Sequence, residues 1–161
     1  MKRISYRQTE IGSIGIIENG RAVTHLLFSA GPPPEGVKEE ESPLLKQAFQ
    51  ELEDYLQGKK IKRWKTPLAP EGTAFQKRVW QVLLEVPYGE SRTYTEVAHC
   101  TDSPKAVRAV GSACKRNPIP VFIPCHRVLG AGGRIGGFLA GLHIKRKLLA
   151  LEGIPYNDKE R

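Results

Sequence analysis

Pro124-Cys125-His126-Arg127-Val128 is the stretch of this sequence whose residue types can do chemistry. A thiol attacks as its thiolate, and nearby cationic groups favour that form. Here a cysteine stands beside a histidine and an arginine, directly after the apolar run Val121-Phe122-Ile123. That pattern reads as a nucleophile set into an apolar wall. A buried structural thiol fits the residue type as well, because free cysteine is among the most buried side chains. No Cys-x-x-Cys or His-x-x-x-His pair is present, so no metal is expected. The glycine-rich run Gly130 to Phe138 lacks a following Gly-Lys-Ser/Thr, so no nucleoside-triphosphate site and no cofactor are expected.

Composition narrows the setting. The chain has 161 residues, 40% hydrophobic and 26% charged, which suits a soluble globular protein of one or two domains. Its net charge of +8 suits a polyanionic partner, since each phosphate contact releases counterions. A generally basic protein without such a partner has the same composition. No apolar run reaches the roughly 18–20 residues that span a bilayer. Met1-Lys2-Arg3-Ile4-Ser5 is followed by no apolar core, so no secretory signal is read and the cytosol is the expected compartment. Cys100, Cys114 and Cys125 are three widely spaced cysteines, expected as free thiols.

The positioning elements fall into two halves. Arg3 to Gln8, Ile11 to Ile17 and Ala22 to Phe28 read as strands, with Asn19-Gly20 as a two-residue hairpin turn. Gly31 to Gly36 breaks regular structure. A helix follows, capped by Ser42, with Pro43 in its first turn. Leu44, Leu45, Ala48, Phe49, Leu52, Tyr55 and Leu56 form its apolar stripe, and Gly58 closes it. Lys59 to Thr66 reads as a polar connector. The boundary is placed at the Pro67-Leu68-Ala69-Pro70 that follows, giving a scaffold domain with linker at 1–70 and a second domain at 71–161.

The second domain reads as helical. Thr73-Ala74-Phe75-Gln76 and Thr93-Tyr94-Thr95-Glu96 have capping-box spacing. Ser103-Pro104 is expected to open a further helix running to Lys115, ended by Asn117-Pro118. Two short helices joined at Thr101-Asp102 have the layout of a helix-turn-helix, and equally of a core helical hairpin. The later helix carries small residues, Ala106, Val107, Ala109, Gly111 and Ala113, so it has few side chains for reading base edges. Arg108 stands in its middle, with Lys105 before it and Lys115-Arg116 after. Such cations contact phosphate or enter the base stack.

These motifs resemble the O6-alkylguanine-DNA alkyltransferases, or methylated-DNA–protein-cysteine methyltransferases. The resemblance is dense from Thr73-Ala74-Phe75-Gln76 and Val79-Trp80 through Pro87-Tyr88-Gly89, Tyr94 and Arg108-Ala109-Val110-Gly111. It continues over Asn117-Pro118, Ile123 to Val128 and Leu149 to Gly153. The fold it implies is α/β (α+β). A small N-terminal antiparallel sheet with a helix, ribonuclease-H-like, would precede a mainly helical domain with a winged-helix-like helix-turn-helix.

The resemblance also implies roles. Cys125 would take the alkyl group from the guanine oxygen once and irreversibly, forming a thioether. His126 would drain its proton through a water, and Glu152 would hold His126. Tyr94 would protonate, or bond strongly to, the departing guanine. Arg108 would fill the gap left when the damaged nucleotide rotates out, with Lys105, Ala106, Ala109 and Lys115 along the DNA. Asn117 resembles the hinge that ties the recognition helix to the active segment. Val128, Phe138, Leu139, Ala140 and Lys145 would form the substrate pocket. Phe138-Leu139-Ala140 is bulkier than the family's usual Tyr-small-Gly, so benzyl adducts should react less well than methyl. The implied partner is double-stranded DNA carrying O6-alkylguanine, with O4-alkylthymine as a further substrate, met by a monomer without cofactor.

Other readings divide on simple tests. A relative lacking the acceptor cysteine would bind damage without reacting, but Cys125 is present. A helix-turn-helix regulator would leave Cys125, His126 and Glu152 idle. A cysteine peptidase would leave the basic charge idle and would turn over.

Overall fold

The computed structural model describes residues 1–138 and 140–158. The chain divides into two compact units, Met1–Glu71 and Gly72–Arg161.

In the first unit, β1 (Lys2–Thr9) pairs antiparallel with β2 (Gly12–Glu18), and β2 pairs antiparallel with β3 (Val23–Leu27). A short strand absent from the sequence reading, β4 (Val37–Glu39), adds parallel to β1, giving the order β3-β2-β1-β4. The connection from β2 to β3 is wider than a two-residue turn. The Asn19 side chain accepts from the backbone N–H groups of Arg21 and Ala22, and the register shifts at Ile17/Glu18. An asparagine that bonds its own backbone two residues on organises a longer loop.

Helix α1 (Pro43–Leu56) starts where Ser42 Oγ accepts from Leu45 N at 3.1 Å. Leu45, Ala48, Phe49, Leu52, Tyr55 and Leu56 are buried along one stripe. They pack against the sheet face that carries Ile14, Ile16 and Leu26, whereas Ile4 pairs with Ile17 on the other face. Each such side chain contributes roughly 1.5–3 kcal/mol of apolar burial.

The second unit is helical, and the whole chain is of mixed α/β class. Helix α2 (Ala74–Leu84) and helix α3 (Tyr94–Cys100) both begin with complete capping boxes, Thr73 with Gln76 and Thr93 with Glu96. Helix α4 (Val107–Lys115) starts later than Ser103-Pro104 suggested. Asp102 takes a left-handed conformation (φ 59°), and Ala106 N–H bonds the Ser103 carbonyl, so residues 101–106 form a link of turns. Trp80 Nε1 donates to the Ala113 carbonyl at 2.9 Å and ties α2 to α4. Strand β5 (Arg92–Thr93) runs parallel to β6 (Val128–Leu129). Helix α5 (Leu142–Glu152) closes the unit, with Gly153 left-handed behind it (φ 71°), a conformation that costs glycine nothing. No helix among the described residues is long and apolar enough to cross a membrane.

Candidate active site

Residues 119–129 are buried without interruption, so the chemistry-bearing segment passes through the core of its unit. Asn117 shapes the approach. Its Nδ2 donates to the Ile123 carbonyl at 2.8 Å, and its Oδ1 accepts from Ile119 N at 2.9 Å. The loop so clamped contains Val121 at φ 74°, buried to 1% exposure. A β-branched residue there carries strain of about 1–3 kcal/mol. Cys125 then opens a single 3₁₀ turn, Cys125–Arg127, and is 6% exposed.

That turn sends the three side chains different ways. His126 is fully buried, and its Nε2 lies 2.7 Å from Glu152 Oε2. Arg127 does not serve the thiol, as its place in the sequence suggested. Its Nε donates to Glu152 Oε1 at 2.8 Å, one terminal nitrogen reaches Oε2 at 3.2 Å, and the other donates to the Val86 carbonyl at 2.8 Å. Gly89 N–H adds a bond to Glu152 Oε1 at 3.0 Å. Glu152 thus accepts from a ring, a guanidinium fork and a backbone amide. Tyr88 frames the cluster, its ring 5.8 Å from the Arg127 guanidinium carbon and its hydroxyl donating to the Leu151 carbonyl.

The cation near the sulfur is Lys145. It is fully buried on α5, and its Nζ donates to the Val128 carbonyl at 2.9 Å. Burial holds its pKa below the usual lysine value, while the nearby thiols Cys125 and Cys114 pull it back up.

Pairing of β5 with β6 sets Thr93 beside Leu129, and Tyr94 follows at the head of α3. Its phenol is pushed up to about 12, first by burial and then by the thiols of Cys114 and Cys125. A Cβ at Gly136 would come within 2.7 Å of the Tyr94 hydroxyl, so any larger residue there would displace that hydroxyl. A cavity of about 590 Å³ opens here, lined by Tyr94, Arg108, Gly111, Cys114, Lys115 and Gly137 among others.

Protonation follows from these surroundings. Burial pushes the Cys125 thiol up, while an Asn117 hydrogen bond and the Lys145 charge pull it down. Burial lowers His126 below the usual imidazole value, and Glu152 partly opposes this. Glu152 falls to about 2, because the bonds and charges of His126 and Arg127 outweigh its burial. At neutral pH the cluster is therefore a carboxylate, a guanidinium and a neutral imidazole. A neutral imidazole donating Nε2–H to a carboxylate offers Nδ1 as a base.

The remaining sequence candidates are distributed around this block. Val128 is wholly buried in β6. Arg108, Ala109 and Lys115 are exposed on α4, Lys105 is exposed just before it, and Ala106 is its half-buried cap residue. Phe138 and Ala140 are half-buried in the loop before α5, and Leu139 lies outside the described residues. Arg127 as the partner of Glu152, the Gly89 amide and Cys114 in the cavity wall were missed. Pro87-Tyr88-Gly89 had read as part of the family resemblance, with no role toward Glu152. The described residues hold no group of three or more His, Cys, Asp or Glu side chains able to bind a metal ion.

Comparison with known proteins gives this geometry its relatives. Residues 74–154 match the family model for the 6-O-methylguanine DNA methyltransferase DNA-binding domain, and residues 2–70 match that for its ribonuclease-like domain. The chain belongs to the methylated-DNA–protein-cysteine methyltransferase family. It is 44% identical to the Haemophilus influenzae methylated-DNA–protein-cysteine methyltransferase over 158 residues, 96% of this chain and 88% of that one. The constitutive enzyme of Bacillus subtilis is 40% identical, over 94% of this chain and 96% of its own. Among solved structures, Mycobacterium tuberculosis OGT in complex with DNA superposes with a TM-score of 0.86 at 35% identity, covering 93% of this chain and 92% of that one. The ribonuclease-like label agrees with the sheet-and-helix first unit, and the DNA-binding label falls on the unit that carries α3, α4 and Cys125.

Proposed function

We propose that this chain repairs DNA by moving an alkyl group from O6 of guanine in a duplex to Sγ of Cys125, once per molecule. The observation that carries the reading is the buried relay His126–Glu152–Arg127 built onto the turn that presents Cys125.

The step balances as a direct displacement. Nδ1 of His126 draws the thiol proton, the Sγ–C bond forms and the C–O6 bond breaks. The electron pair passes to the guanine, and Tyr94 meets the developing charge at O6 with its proton. A phenol pushed up to about 12 stays protonated at neutral pH, so it meets that charge as a hydrogen-bond donor. The thioether has no acyl or phosphoryl bond for water to cleave, so the sulfur is spent. Burial of Cys125 makes the base necessary, because an apolar site disfavours the resting thiolate.

A stacked base cannot present O6 to a buried thiol, so the nucleotide must leave the helix. The exposed face of α4 suits that task. Small residues let the helix approach the groove closely, and Arg108 at the cavity edge is placed to occupy the vacated stack. Lys105 and Lys115 suit phosphate contacts. Asn117 holds the active segment at the end of α4, and Lys145 with the loop around Phe138 and Ala140 bounds the guanine. O4 of thymine presents a similar alkoxy carbon and is a second, weaker substrate. The protein acts as a monomer, since the proposed site draws on one chain.

The test is incubation with duplex DNA carrying label on the O6-methyl group. One label per protein, located on Cys125 by mass spectrometry and abolished in Cys125→Ser, supports this reading. Multiple turnovers, or DNA binding without transfer, would sink it.

A further inference from the structure

We infer that the Lys59–Lys65 segment of the first unit is a second contact for the phosphate backbone of duplex DNA. The inference rests on the proposed function, and nothing in the site so far described uses this segment.

Five of these seven residues are cations: Lys59, Lys60, Lys62, Arg63 and Lys65. Outside the segment, the first unit holds six lysines and arginines against ten aspartates and glutamates. A diffuse positive charge is therefore not the explanation. The unit is mildly acidic and carries one cationic strip. All five side chains belong to exposed residues. Among the described residues, Lys59 is the only one of the five in an ion pair, with Asp54 at 4.0 Å.

The segment is also held in shape. It forms no helix or strand, yet the Glu51 carboxylate accepts the backbone N–H of Lys65 at 2.8 Å and of Thr66 at 2.7 Å. The Glu51 carboxylate is thus engaged with the backbone and not with the cations of the strip. Trp64 packs edge-on against Tyr55, ring centroids 5.9 Å apart. This arrangement turns the apolar ring toward α1 and leaves the cations facing water. A strip of exposed lysines and arginine without a free apolar anchor fits phosphates better than a lipid surface, where stable docking needs inserted apolar side chains. Only residues 66–73 separate the strip from α2. A short covalent link of this kind gives the strip a high effective concentration on any duplex the second unit holds.

Binding of a short unmodified duplex across a salt series tests this. Each phosphate neutralised steepens the slope of log affinity against log salt by about 0.9. The triple variant K60Q/K62Q/R63Q should flatten that slope by about 2–3 and weaken affinity roughly tenfold near physiological salt. The control R21Q/K38Q/K46Q removes the same charge elsewhere on the first unit and should leave the slope unchanged. Both variants should react with free O6-methylguanine base at the parental rate. If the triple variant melts below the parent, R63Q alone is used, with a slope change of about one. Equal slopes in strip and control variants would overturn the inference. So would loss of binding to phosphatidylglycerol vesicles with duplex binding intact. Absence of label transfer in the parent protein would instead count against the proposed function, and the salt slopes would still decide the strip.

Discussion

Each unit of this chain buries one prominent carboxylate, and the two are put to different use. Glu18 of the first unit is 2% exposed; it accepts from Gly20 N–H at 2.7 Å and from Ser42 Oγ at 2.9 Å. Glu152 of the second is 7% exposed and accepts from His126, Arg127 and Gly89. Both are well bonded, so burial and hydrogen bonding do not distinguish them. Their partners do. Ser42 passes its oxygen on to Leu45 N–H and caps a helix, which ends the chain of bonds. His126 has a second ring nitrogen and follows the thiol-bearing Cys125 in the chain. The lesson is that a buried acid signals chemistry when what it holds can change protonation.

The sharpest way to break this comparison is to neutralise each acid without changing its shape. Glu152→Gln should slow alkyl transfer by roughly 10²–10⁴, the range in which positioned acid–base groups act. Glu18→Gln weakens a bond made by a charged acceptor and should cost about 1.5–3 kcal/mol of stability. Its transfer rate per folded molecule should match the parent's. Single-turnover rates with labelled duplex, beside urea melts, measure both. A slow Glu18→Gln that is fully folded would erase the distinction.

Much of the scaffold around these acids was legible in the sequence, and for identifiable reasons. The stripe Leu45–Leu56 repeats with helical period, and Ser42 with Pro43 marks its start, so α1 emerged with its cap. Both capping boxes were legible because the motif is local. Strand β4 was not, because Val37-Lys38-Glu39 is short and polar, and its pairing with Lys2 to Ile4 is a tertiary event. The start of α4 was misplaced because Pro104 is equally at home in a turn, and the left-handed Asp102 leaves no mark in composition. His126 and Glu152 were associated through family resemblance, since 26 positions separate them. The fork of Arg127 onto Glu152 escaped for the same reason of distance. Arg127 sits beside Cys125 in the chain, and only the 3₁₀ turn sends it elsewhere. Lys145 was placed at the pocket by the resemblance alone, because its burial depends on packing that no local pattern states.

Acid sharpens the comparison at smaller amplitude. Glu152 titrates at about 2 in the folded protein against an ordinary value of 4.5. Its contribution is complete above the ordinary value and is lost as pH falls toward 2, because the unfolded chain takes up the proton first. His126 is also lowered in the folded state, from 6.5. Its contribution starts to fade below that value, again because the unfolded chain binds the proton first. Stability should therefore decline on acidification in two stages, one below pH 6.5 and one below pH 4.5. Glu152→Gln should remove much of the second stage. Urea midpoints at pH 7, 5.5 and 3.5 measure this, and an unchanged acid limb in the variant would show that other carboxylates dominate.

The smallest expected effect concerns strain, which the two units also distribute unequally. Among the described residues, positive φ in the first unit occurs at glycines alone, whereas Val121 lies in the loop leading to Cys125 at φ 74°. Val121→Gly gives up a buried side chain worth roughly 1.5–3 kcal/mol and adds glycine's chain entropy. Against these losses it releases about 1–3 kcal/mol of backbone strain. Val128→Gly makes the same deletion at an equally buried residue with φ −98°, where there is no strain to release. Val121→Gly should therefore destabilise less than Val128→Gly, by about 1–3 kcal/mol in urea midpoint analysis. Equal losses would mean that the loop relaxes around Val121 at no cost. The segment presenting Cys125 would then be held by the Asn117 clamp and packing alone, and the second unit would concentrate charge, but not backbone strain, around its sulfur.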